Sequence, residues 1–172
     1  MRKWFEFMLA ILIFLTVHEA FHALISAFYS EFEGFHWSIF PQVIFVTPVE
    51  ERIGLRWAFI SGTSNIVTLL LGYLLLVFGQ RIARLHSVFL KASIYYLTLM
   101  LLLIDAFNLS IGPFIYGGDA NGIAVGLGIS RYLVQTVFFL ILLVNRELLA
   151  QKLLPLYDVK TDHPLLRPWI RL

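Results

Sequence analysis

The sequence predicts an all-α integral membrane fold of about four transmembrane helices, with a short membrane-associated β-hairpin between the first and second. Composition is the first ground for this. Of 172 residues, 59% are hydrophobic, 16% aromatic and only 14% charged. Mean hydropathy is +0.82, which is more apolar surface than a soluble domain of this length can hide. The second ground is four apolar runs, each long enough to cross a hydrocarbon core of about 30 Å. The third is an interruption between the first two runs, where the pattern changes from helical to strand-like.

The runs fall at residues 4–29, 55–78, 88–111 and 123–144. Arg2 and Lys3 can open a signal peptide. Cleavage near Ala27 would remove the most polar part of the first run, so that run is read as an uncleaved span. Trp4, Trp37, Trp57, Tyr73, Tyr95, Tyr96 and Tyr132 include candidate interfacial anchors. The interruption covers residues 30–54. Within it, residues 32–40 alternate loosely up to Pro41, and Val43-Ile44-Phe45-Val46-Thr47 stops at Pro48. This reads as two short strands at the membrane surface, with a simple re-entrant or surface loop as the alternative. An exposed strand edge there can pair with an extended peptide segment. Residues 1–145 form one unit. Residues 146–172 form an amphipathic or irregular tail, in which residues 146–156 can make a short helix lying on the membrane.

The net charge is only +2, and the basic residues flank apolar runs, so the lipid bilayer and no nucleic acid is the expected partner. Arg2, Lys3, Arg81, Arg84, Lys91, Arg146, Lys152, Lys160, Arg167 and Arg171 fall on one side of a four-span topology. Glu31, Glu33, Glu50 and Glu51 dominate the first loop against Arg52 and Arg56. The positive-inside rule then puts both termini in the cytoplasm and the hairpin outside. A multi-pass protein of the cell membrane is expected. The chain has no cysteine, which excludes disulfides and thiolate metal ligands.

His18-Glu19-Ala20-Phe21-His22 lies inside the first run. A charged group there costs roughly 2–3 kcal/mol even on lenient insertion scales. On a helix, residues four apart share a face, so His18 and His22 can reach one zinc ion together. Glu19 is adjacent and can act as a general base toward a hydrolytic water. With five histidines in the chain, this pattern is expected by chance on the order of 0.01 times. His36 on the hairpin, His86 in the basic loop and His163 in the tail read as surface residues.

Zinc held by two histidines needs a third protein ligand and an open position. The third run ends in Asp105-Ala106-Phe107-Asn108, and Gly112-Pro113 and Gly117-Gly118-Asp119 follow. Glycine and proline predict a broken helix, tolerated at depth where the backbone is buried or meets water. Asp119, beside two glycines, is the expected ligand, with Asp105 on regular helix as the alternative. In the second run, Ser61-Gly62-Thr63-Ser64-Asn65 offers small residues for close helix contact. Asn65 and Asn108 are candidates to hold substrate or transition state, or alternatively to bridge helices.

In this order the motifs resemble those of the site-2 protease family of intramembrane zinc metalloproteases. Members carry H-E-x-x-H in one transmembrane helix, then a membrane-associated hairpin. A helix with a Gly-Pro-x-x-Asn-type pattern follows, then one with Asn-x-x-Pro-x-x-x-Leu-Asp-Gly. His18-Glu19-Ala20-Phe21-His22 matches the first motif in full, and Ser61-Gly62-Thr63-Ser64-Asn65 is similar to the second. Asn108, Pro113, Gly118 and Asp119 resemble a stretched third motif, with four residues between Asn108 and Pro113 and with Ala120 after Asp119. The resemblance covers about residues 4–130. It implies one zinc ion, an all-helical fold and a membrane-protein substrate. It also implies an active site near the cytosolic face, opposite to the side that loop charge gives the hairpin. The expected function is peptide-bond hydrolysis in or beside the bilayer. A non-catalytic scaffold of the same fold and a metal-ion transporter are the alternatives.

Overall fold

A computed structural model gives the architecture of residues 2–37, 41–116 and 118–170. It is mostly helical, and four of its helices are long and apolar enough to cross a membrane. Helix α1 runs Arg2–Phe28. Its buried residues include Glu6, Ala10, Phe14, His18, His22 and Ser26, one in every four. That spacing is the ridge along which a helix packs into its neighbours. Phe5, Met8, Leu12 and Leu24 point outward. The helix therefore hides its polar groups and exposes its apolar ones, the reverse of a helix on a water-facing surface.

Strands β1 (Phe32–His36) and β2 (Gln42–Phe45) form the expected antiparallel hairpin, with Phe35 opposite Val43. Ser38, Ile39 and Phe40, read as hairpin residues, lie outside the described residues. Val43 is buried while Gln42 and Ile44 are exposed, as the two-residue period of a strand requires. Glu31 pins the hairpin base. Its carboxylate accepts from Thr47 N at 3.1 Å and pairs with Arg56 at 3.1 Å. Arg52 lies over the rings of Phe45 and Trp57, 4.9 and 4.5 Å from their centroids. Burial draws its guanidinium below the ordinary value against the pull of Glu31, Glu50 and Asp119.

Helix α2 (Arg56–Val77) buries Trp57, Ser61, Ser64, Asn65, Thr68 and Gly72 on one face. A short α3 (Gly79–Ala83) leads to α4 (Val88–Ser110), which starts where Ser87 Oγ accepts from Leu90 N. Helix α4 packs against α1, α2 and the later helix α7. Beyond Ser110 the chain breaks as expected, into α5 (Pro113–Tyr116) and α6 (Asp119–Leu127).

The fourth span differs from the expected 123–144. Helix α6 stops at Gly128, whose φ of +65° is the left-handed cap glycine adopts freely. Ser130 then caps a new helix, α7 (Arg131–Leu148). Helix α7 continues through one π-helical turn, Leu149–Leu153, into α8 (Leu154–Leu156). The long apolar helix is thus Arg131–Leu156. Residues 146–156 are its end and not a surface amphipathic helix, because Leu149 and Leu153 pack with Leu102 in the interior. The tail folds back onto this end, where Glu147 accepts from Trp169 N and Arg146 stacks on the Trp169 ring.

Helix α6 lies along α2 at close backbone approach. A Cβ on Gly126 would stand 2.1 Å from Ala58 N, and one on Gly122 would stand 2.8 Å from Ser61 Cβ. Since α6 begins at Asp119, this contact fixes the depth of that carboxylate. Gly126→Ala should therefore lower stability by about 1–3 kcal/mol or more and displace α6. Gly34→Ala, which meets nothing within 4 Å, should stay within about 0.5 kcal/mol of wild type. Thermal unfolding of both variants in detergent checks the contrast.

Candidate metal centre

His18 and His22 lie on successive turns of α1, on the buried ridge, with both side chains directed into the bundle. Asp119 approaches from the first turn of α6. Three atoms converge. His18 Nε2 and His22 Nε2 are 3.2 Å apart, and Asp119 Oδ2 is 3.3 Å from the latter and 3.7 Å from the former. Four ligands about 2.0–2.1 Å from a tetrahedral zinc stand about 3.3–3.4 Å from one another. The observed edges match that spacing.

The hydrogen bonds behind the rings make the fit chemical as well as geometric. His22 Nδ1 is 2.8 Å from Ile60 O. A carbonyl only accepts, so a neutral His22 carries its proton on Nδ1 and a lone pair on Nε2. His18 Nδ1 is 3.1 Å from Asp105 Oδ1, a close approach of two buried atoms that have no other hydrogen-bond partner, and a proton on Nδ1 there leaves the His18 Nε2 lone pair free. Two imidazole lone pairs and a carboxylate oxygen then face one another, with none of the three groups supplying a proton. A divalent cation of borderline softness is the group this donor set suits.

The sequence-derived residues distribute as follows. Among the described residues, the group able to hold a metal is His18, His22 and Asp119. Of the two expectations for the third ligand, Asp119 is the one brought to the converging atoms. Asp105 sits on the far side of the His18 ring. Glu19 is outside the ligand group, and its Oε2 accepts from Val43 N on β2 at 3.0 Å. Asn65 and Asn108 both direct their amide nitrogens at Asp119 Oδ2, at 2.9 and 3.4 Å. Asn65 Nδ2 also donates to Ser61 O at 2.9 Å. The asparagines here orient the carboxylate rather than face open space. His36 is exposed on β1, and His86 and His163 are also exposed.

Two further residues were not singled out by sequence reasoning. Ser64 Oγ lies 2.8 Å from His22 Nε2, and the Thr68 hydroxyl donates to Asp105 Oδ2. A signal for both was present. Ser61, Ser64, Asn65 and Thr68 recur at helical spacing in an apolar run, which marks one polar stripe facing the bundle.

If Asp119 is the anionic ligand, Asp119→Ala should weaken zinc binding by at least about tenfold, roughly 1.4 kcal/mol. His18→Ala and His22→Ala should each weaken it further, since each removes a ring nitrogen that no neighbouring side chain replaces. Chelator competition on the purified variants measures all three. No protein-family model, curated protein or solved structure matches this chain.

Proposed function

We propose that this chain is an intramembrane zinc metalloprotease that cleaves membrane-embedded or juxtamembrane segments of other proteins. The observation that carries the reading is the pairing of a three-atom ligand set with an adjacent carboxylate outside that set. His18, His22 and Asp119 converge, while Glu19, between the two histidines in sequence, is held by a strand edge. A metal-storing or merely structural site has no use for that fourth group. The motif order, similar to that of the site-2 protease family, supports the same reading. A transporter would need further ligands along a path, and among the described residues this is the one such group.

A zinc ion held here supplies Lewis acidity, polarising the scissile carbonyl and making its water acidic enough to lose a proton near neutral pH. The protein's own residues do the rest. Glu19 accepts the proton of the hydrolytic water at a carboxylate oxygen and delivers it to the leaving amine. Asn65 and Asn108 keep Asp119 in place by donating to its Oδ2. Phe14 packs beside the His18 ring, at 5.7 Å between centroids, and keeps that side of the site dry.

The hairpin supplies the substrate path in this reading. Phe35 and Val43 are opposite each other in the ladder, and Val43 N points away from β1 toward Glu19. That is the free edge of β2, where an extended segment can add as another strand. A substrate helix must unwind to do so, because its amides are otherwise engaged. A substrate carbonyl that takes the Val43 N–H takes it from Glu19, so the base is released as the peptide arrives.

Glu19→Gln tests the function. Cleavage of single-span model substrates in liposomes should fall by roughly a hundredfold or more, with bound zinc unchanged. Loss of zinc from this variant would make Glu19 a ligand. Undiminished cleavage would remove this motif from the chemistry.

A further inference from the structure

Asp105 is a buried carboxylate that the proposed mechanism does not use. It is 1% exposed and sits near the C-terminal end of α4. A carboxylate buried among apolar helices is costly unless it is paired. Among the described residues its ionic partner is His18, at 3.1 Å from Nδ1, and no Lys or Arg pairs with it. Its other oxygen accepts from the Thr68 hydroxyl of α2. The chain Thr68, Asp105, His18 thus crosses α2, α4 and α1 and ends on the ring whose Nε2 faces the converging ligands.

The two histidines are held differently. His22 donates to a neutral carbonyl, Ile60 O, whereas His18 Nδ1 lies 3.1 Å from the Asp105 carboxyl oxygen Oδ1, and neither of these two buried atoms has another hydrogen-bond partner. A proton on Nδ1 of each ring leaves its Nε2 lone pair directed at the converging ligands. The carboxylate does more. It raises the basicity of the ring and adds a negative charge close to the site. Asp119 and the neighbouring Glu19 already oppose the charge of a dication held here, so what Asp105 adds acts through the His18 ring.

We propose that Asp105 is the positioning residue of this centre, fixing the tautomer of His18 and thereby strengthening its hold on the cation. This rests on the metal-centre reading of His18, His22 and Asp119 and not on proteolysis. A plain packing role, bridging α4 to α2 through Thr68, predicts something different. It would affect folding while leaving the His18 tautomer and the metal affinity alone.

Nitrogen-15 spectra of the histidine rings in the metal-free, full-length protein at mildly alkaline pH decide the first half. His18 should carry its proton on Nδ1 in wild type and move toward the Nε2-protonated form in Asp105→Asn, which keeps the shape and the Thr68 contact. Chelator competition decides the second half. Asp105→Asn should weaken zinc binding by about tenfold to a hundredfold, and Asp105→Glu should recover part of the loss. Thr68→Val should lower thermal stability while keeping the wild-type tautomer. A wild-type His18 protonated on Nε2 overturns the proposal without any variant, so a variant that fails to fold does not shield it. Zinc affinity of Asp105→Asn within threefold of wild type also overturns it. A wild type that binds no zinc removes this proposal together with the metal centre. A wild type that binds zinc but cleaves nothing removes the protease reading alone.

Discussion

The arrangement depends on one constraint: polar groups buried in an apolar bundle must satisfy one another. Along α1 the buried face reads Glu6, Ala10, Phe14, His18, His22, Ser26, and on α2 it includes Ser61, Ser64, Asn65 and Thr68. The outward faces carry Phe, Leu, Ile and Val instead. Each polar residue on the inner faces costs free energy unless a partner meets it across a helix interface. The result is a short network. Ile60 O and Ser64 meet His22, Asp105 meets His18, and two asparagine amides meet Asp119. Within it, His18, His22 and Asp119 bring together three atoms that suit a metal.

The four-residue spacing of the two histidines has two consequences at once. It puts both rings on one face, which chelation requires, and it keeps them on the ridge by which α1 packs against α2 and α4. The site is therefore part of the helix interface and not an addition to it. The same economy appears in α6. Its glycine contact with α2 at Gly122 and Gly126 brings the backbones together, and that closeness carries Asp119 to the level of Asn65. A larger residue at either glycine would move the third ligand as well as the helix.

The hairpin ties this centre to the region where a peptide can approach. Glu31 and Arg52 hold its base against α2, and the edge of β2 reaches Glu19. The carboxylate is thus bound through a backbone donor, the kind of group an incoming extended chain competes for. A side-chain donor in the same place would bind Glu19 without coupling it to peptide pairing.

The sequence alone determined whatever follows from local periodicity. The first three long helices, the shared face of His18 and His22, the two strands and the break after Ser110 are all set by spacing and by glycine and proline within a few residues. Tertiary structure decided what depends on distant segments. Asp105 lies near the end of the third apolar run and Asp119 past the break that follows it, and the glycines beside Asp119 favour it as ligand but do not by themselves separate ligand from support. Packing does, because α6 runs beside α2 and brings Asp119 to the Nε2 side of the rings, whereas α4 brings Asp105 to the Nδ1 side. The same holds for Asn65 and Asn108, whose amides turn to Asp119, and for the Val43 donor of Glu19. The fourth long helix was displaced for a related reason. An apolar count cannot see that Gly128 and Ser130 end one helix and start another. It also cannot see that Leu149 and Leu153, past the first charged residues, still find an interior to fill. Periodicity fixes which side chains share a face, and only packing fixes what that face meets.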